Sequence, residues 1–90
     1  MAKAEISWKG RTDEGTKREV YAQHVGNQWV FYVRQQRYDK WTAMPQPPLD
    51  DWIELLDAVR RRINRRLLRP EEEERVKKTM RERFPEATFD

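Results

Sequence analysis

A chain of 90 residues, 37% of them hydrophobic, makes one small domain in which folding buries only about 60–65% of the surface. The absence of cysteine excludes disulfide staples, thiolate zinc sites and cysteine nucleophiles, and no apolar run approaches the ~20 residues of a membrane span. Nineteen Lys and Arg against sixteen Asp and Glu leave a net charge of +3, which favours anionic partners only mildly.

Four Trp, three Tyr and three Phe supply large core fillers, and apolar periodicity over most of the chain sets it apart from a disordered segment. The first ten residues lack the apolar stretch of a signal peptide, so a soluble, cytoplasmic protein is expected.

In chain order, Glu5 to Lys9 alternates, with Ile6 and Trp8 on one side and Ser7 on the other, which predicts a short first strand. Gly10 and the cluster Asp13-Glu14-Gly15-Thr16 read as the polar turn after it. Between Arg18 and Gln35, Gly26-Asn27 separates two alternating runs, the pattern of a two-residue hairpin in which glycine supplies a positive φ. Pairing Val25 with Gln28 fixes the register. His24 then opposes Trp29, Ala22 opposes Phe31 and Val20 opposes Val33 on a nearly all-apolar core face. The outer face pairs Gln23 with Val30, Tyr21 with Tyr32 and Glu19 with Arg34. The aromatic pair and the ion pair are each worth roughly 0.2–1 kcal/mol, and a one-residue slip loses both.

A fourth strand is expected within Tyr38 to Met44. A tight turn at Gln36-Arg37 places Trp41 beside Tyr32 on the outer face and pairs Arg34 with Asp39. A loop longer by one residue places Trp41 beside Val33 in the core. Pro45-Gln46-Pro47-Pro48 is an extended connection that ends the sheet.

From Leu49 to Arg69, the apolar residues Leu49, Trp52, Ile53, Leu56, Val59, Ile63 and Leu67 recur at spacings of three and four, the stripe of an amphipathic helix. Asp50, Asp51 and Glu54 near its start and arginines near its end suit the helix dipole. Pro70 closes this helix, and Pro70 followed by Glu71 to Glu74 opens another with a narrow stripe of Val76, Met80 and Phe84. Pairs at four-residue spacing (Glu71–Arg75, Glu73–Lys77, Glu74–Lys78) support it, and Pro85 ends it ahead of Phe89. The expected fold is α+β: a three- to four-stranded antiparallel sheet over about residues 4–44, a connection at 45–48, a long helix at about 49–68 and a shorter one at about 71–84 (ββββαα). The stripe of the long helix is expected on the Val20, Ala22, Trp29, Phe31 and Val33 face of the hairpin.

The inventory for catalysis is thin. There is one histidine, His24, and one serine, Ser7. His24 falls on the apolar face, where a hydrogen-bonded structural imidazole is the simple expectation. Asp50, Asp51 and Glu54 suit helix capping better than acid–base work. No His/Asp/Glu set has metal-ligand spacing, and three isolated glycines do not form a phosphate loop. No enzyme, cofactor or metal is expected.

Two features point to binding. Arg60, Arg61, Arg62, Arg65, Arg66 and Arg69 lie within ten residues with no acid among them, and arginine's planar fork suits phosphate. Arg61, Arg62, Arg65 and Arg69, with Arg34 of the sheet, are the candidate phosphate-binding residues. A helix C-terminus also favours cations in its own right, and Glu71 to Glu74 can neutralise part of the patch if the second helix folds back. The second feature is an outer-face strip of Tyr21, Tyr32 and Val30, joined by Trp41 in one register and flanked by Gln23, Arg34 and Lys40. Aromatics beside cations on an open sheet stack single-stranded bases at about 1–3 kcal/mol per base. The same strip suits a homodimer interface, or packing under the second helix or the N-terminal segment.

Four strands followed by a helix that opens Leu49-Asp50-Asp51-Trp52 and runs on to Leu56 resemble the small single-strand-binding folds of the PUR-repeat, Whirly and transcriptional-coactivator type. The resemblance covers about Glu5 to Leu68 and lies in element order and the Leu-x-x-Trp helix start. The helix after Pro70 departs from it. It implies a curved antiparallel sheet in front of an amphipathic helix and a dimer acting on single-stranded DNA or RNA, and it carries over no site residue. The two functions expected are therefore a non-enzymatic module for single-stranded nucleic acid or another polyanion, and a protein–protein or homodimerisation domain.

Overall fold

The computed structural model describes residues 5–11, 14–26 and 28–88, which form four strands and two helices in the order ββββαα. The chain divides into two compact units, Met1–Pro47 and Pro48–Asp90. No helix among the described residues is long and apolar enough to cross a membrane.

The first unit is an antiparallel sheet of β1 (Glu5–Arg11), β2 (Lys17–Val25), β3 (Gln28–Arg34) and β4 (Thr42–Ala43), in that spatial order. The central hairpin has the expected register at every pair from Glu19↔Arg34 to Val25↔Gln28. Gly26 takes φ 61° as the turn requires, while Asn27 lies outside the described residues. On the inner face Ile6, Val20, Ala22 and Phe31 are buried, and the Trp8 ring meets Phe31 edge-on at 5.9 Å. His24 and Trp29, opposite each other at the hairpin end, lie ring against ring at 4.9 Å.

The end of the first strand departs from expectation. β1 does not stop at Lys9 but runs to Arg11, with Gly10 paired to Arg18 and Arg11 to Lys17. The alternation continues through Lys9 and Arg11, so Gly10 is a ladder residue and not the start of the turn. Of the expected Asp13-Glu14-Gly15-Thr16 turn, Asp13 lies outside the described residues, and Gly15 has the positive φ of 82°.

The fourth strand follows neither register considered. Tyr32 pairs with Ala43 and Val33 with Thr42, and the Met44 N–H donates to the Phe31 carbonyl at 2.9 Å. That connection is two residues longer than the tight-turn register, so the side-chain parity returns and Trp41 lies on the outer face across from Arg34. The extra length is a turn at Gln36–Asp39, closed from both sides. The Asp39 N–H donates to the Gln36 carbonyl at 2.9 Å, and the Gln36 N–H donates to the Asp39 carboxylate at 3.1 Å. An aspartate carboxylate able to mimic a backbone acceptor makes this turn favourable.

The second unit is a hairpin of helices, α1 (Leu49–Asn64) and α2 (Glu71–Arg83). The Arg60–Glu73 ion pair near one end and the Arg83 guanidinium over the Trp52 ring near the other set the two antiparallel. Its buried apolar side chains are Trp52, Leu55, Leu56, Ala58 and Val59 of α1 and Val76 and Met80 of α2. Ile53 and Leu67, expected in the stripe, are 42% and 62% exposed, and Leu55 is fully buried instead. The buried arc is broader than a single stripe and opens toward Leu55 and Ala58, away from Ile53. Asp51 and Glu72 are also buried.

α1 ends at Asn64, about four residues before the expected end near Leu68. The Leu67 N–H donates to the Arg62 carbonyl at 2.8 Å and the Arg66 N–H to the Ile63 carbonyl at 2.9 Å, with Arg66 at φ 61°. This is the Schellman arrangement, which satisfies the last carbonyls of a helix through one left-handed residue, usually glycine. Here that residue is arginine, so the stop carries no glycine signal. In α2, Glu73 pairs with Lys77 at 3.1 Å as expected, whereas Arg75 pairs with Glu72 rather than Glu71.

Candidate functional site

The outer face of the sheet is a set of cross-strand rows, fixed by the pairings of β1, β2 and β3 and extended to Trp41 by one step of the β3–β4 register. At one end Arg11 faces Lys17. The next row crosses the sheet as Lys9, Glu19, Arg34 and Trp41. Ser7, Tyr21, Tyr32 and Ala43 form the third, and Glu5, Gln23 and Val30 the fourth. Basic residues therefore occupy one end of the face and aromatic rings its middle.

Three rings make one cluster. Tyr21 and Tyr32 stack with centroids 4.8 Å apart and an interplanar angle of 18°, and the Trp41 ring meets Tyr21 edge-on at 4.6 Å and 89°. Offset-stacked and T-shaped pairs are the favourable aromatic geometries, each worth about 0.5–1.5 kcal/mol beyond area burial. Arg34 joins the cluster to the charged row. Its Nη2 and Nε donate to Glu19 Oε2 at 3.0 and 3.3 Å, while its guanidinium lies 4.3 Å from the centroid of the Trp41 ring. One planar cation thus uses its edge for a carboxylate and its face for a ring, which lysine cannot do.

All four of these side chains are half-buried. Burial first, then the neighbouring Tyr32 and Glu5, pushes the Tyr21 phenol above its ordinary value. At the far row, the Gln23 amide donates to Glu5 at 3.4 Å. The sequence-derived strip of Tyr21, Tyr32, Trp41 and Arg34 is therefore one contiguous patch.

The candidate arginines of the second unit are distributed otherwise. With α1 ending at Asn64, only Arg61 and Arg62 stand on the helix. Arg65 is its C-cap, and Arg69 lies in the connection to α2. Four residues expected on one helical face consequently fall on three kinds of backbone. Arg61 is paired with Asp57 at 3.4 Å, and Arg60 with Glu73 at 3.1 Å. Glu73 also accepts from Lys77, and these two hydrogen bonds hold its carboxyl below the usual carboxylate range. Part of the basic cluster is thus compensated, as the run Glu71 to Glu74 implied, with Glu73 reaching across to Arg60 of α1. Among the described residues, Arg62, Arg65, Arg66 and Arg69 have no ion-pair partner.

Sequence reasoning passed over Lys9, Arg11 and Lys17 as parts of a site. The signal was present in the alternation Lys9–Arg11 and Lys17–Glu19–Tyr21, but ending the first strand at Lys9 hid their common face. Among the described residues no group of three or more His, Asp or Glu side chains is placed to hold a metal ion. Compared with protein-family models, with curated proteins and with solved structures, the chain matches none.

Proposed function

We propose that this chain is a non-enzymatic binding module that takes single-stranded nucleic acid on the outer face of its sheet. The observation that carries this reading is the patch of Tyr21, Tyr32 and Trp41, with the Arg34 guanidinium stacked on Trp41 and basic residues on the neighbouring rows. Rings of this kind stack bases regardless of sequence, and cations beside them meet the backbone. The resemblance of the element order to PUR-repeat, Whirly and coactivator-type folds supports the same use of the sheet.

A second reading is self-association through that face. It draws on Val30, half-buried in the row beyond the tyrosines, and on Val25, which is 51% exposed on the same side. An apolar strip on an open sheet is a common means of pairing two copies.

Fluorescence anisotropy of labelled single-stranded DNA, single-stranded RNA and duplex DNA, at low and at physiological salt, separates the readings. The module is expected to bind both single strands more tightly than duplex, with affinity falling as salt rises. No binding of either single strand at low salt removes the nucleic-acid reading. A concentration-dependent dimer in light scattering that W41A abolishes would then favour self-association.

A further inference from the structure

We infer that the phosphates of the bound strand are held by the basic end of the sheet, Lys9, Arg11 and Lys17, rather than by the arginines that follow α1. This rests on the single-strand reading above and names the part of the face that holds the backbone.

Two open depressions adjoin at that end. One, of about 330 Å³, is bordered by Lys9, Arg11, Lys17 and Arg18 and is the one that holds the cations of the outer face; the other, of about 510 Å³, reaches round to Val33 and Thr42 of the opposite face, and the two share Arg18 and Gln35. Among the described residues, the acids on their walls are Glu19 and Asp39. Glu19 is held by Arg34 through two hydrogen bonds, and the Asp39 carboxylate accepts from the Gln36 N–H to close its turn. Glu14, exposed in the loop between β1 and β2, is the nearest other acid in sequence among the described residues. Lys9, Arg11 and Lys17 are exposed and have no ion-pair partner among the described residues.

Uncompensated cations in a concave surface focus potential on an anion more strongly than the same charges on a convex helix. Position decides the rest. Lys17 and Tyr21 are four residues apart on one strand and one face, about 13 Å at ~3.3 Å per residue. The Lys9–Glu19–Arg34–Trp41 row lies between them. A strand with bases on the aromatic rows therefore runs its phosphodiesters over the basic rows without leaving the sheet.

The test compares the salt dependence of oligothymidylate binding for the wild type, K9Q/R11Q/K17Q and R62Q/R65Q/R69Q. Each single-strand phosphate contact contributes about 0.7 to the slope of log K against log salt. The sheet variant is expected to lose about 2 from that slope and the helix variant to keep it. A slope that falls only in the helix variant overturns the inference and leaves the single-strand reading standing. No binding by the wild type at low salt overturns both. Should the triple sheet variant fail to fold by circular dichroism, K9Q and K17Q singly are expected to lose about 0.7 each, and unchanged slopes in both overturn the inference. Tripolyphosphate as competitor distinguishes the phosphate source: weak displacement of the oligonucleotide is expected for a contiguous backbone, and tripolyphosphate binding tighter than the oligonucleotide would overturn the assignment to a nucleic-acid strand.

Discussion

Replacing Arg66 by glycine should make this protein more stable, although it removes a side chain and adds none. Arg66 sits at φ 61° as the left-handed residue of the α1 stop, where the Leu67 and Arg66 N–H groups close on Arg62 and Ile63. An L-residue in that conformation crowds its Cβ against the following carbonyl, at a cost of roughly 1–2 kcal/mol. Glycine avoids the crowding but gains conformational freedom in the unfolded chain, which returns roughly 0.5–1 kcal/mol. The net expectation is a stabilisation of about 0.5–1 kcal/mol, or a few degrees in Tm for a chain of this size. Urea denaturation of wild type, R66G and R66A measures it. R66A is the necessary control, because Arg66 stands between Arg65 and Arg69 and removing a like charge can stabilise by itself. Alanine removes that charge and keeps the Cβ. If R66G is no more stable than R66A, the left-handed strain is not there and the account of how α1 ends is wrong.

The remaining predictions concern the sheet face and the charged pairs. A double-mutant cycle of R34A and W41A should give a coupling of about 0.5–1 kcal/mol, since the guanidinium stacks 4.3 Å from the Trp41 centroid; additive single effects would mean that the stack contributes nothing. Glu73, whose carboxyl is held below its ordinary 4.5 by hydrogen bonds from Lys77 and then Arg60, contributes stability above that value and loses it as pH falls through the lowered folded pKa. E73Q should therefore be less stable than wild type at neutral pH, with the gap closing in acid; a gap independent of pH would contradict the ionised pairing. The Tyr21 phenol, pushed above its ordinary 10.0, contributes stability that is present below that value and lost as pH rises through the raised folded pKa. Its phenolate absorbance should appear late in an alkaline titration, and Y21F should remove that late component.

The central hairpin was legible in full because several local signals agreed on one register: Gly26-Asn27 at the turn, an apolar inner face, and the Tyr21–Tyr32 and Glu19–Arg34 pairs on the outer one. The fourth strand was not, because Trp41 suits either side of a sheet and the turn at Gln36–Asp39 is held by one aspartate side chain rather than by glycine. The end of α1 was hidden for a related reason. Apolar spacing continues through Leu67 and proline waits at Pro70, while the actual stop uses an arginine in a conformation that sequence associates with glycine. Of the candidate site, the Tyr21–Tyr32 pair was readable from parity alone, while the place of Trp41 beside it depended on the fourth strand's register. The basic end was not, because it unites residues from separate strands that become neighbours only when β1 is carried past Gly10 to pair Arg11 with Lys17.

The most direct test of the binding face is a nitrogen–proton NMR titration of the labelled protein with a short oligothymidylate at low salt. Shifts are expected at the backbone amides of Lys9, Lys17, Tyr21, Tyr32 and Arg34 and at the Trp41 indole, with Arg62 to Arg69 unmoved. Shifts confined to Arg62 to Arg69, or none at all, would contradict single-strand binding on the sheet.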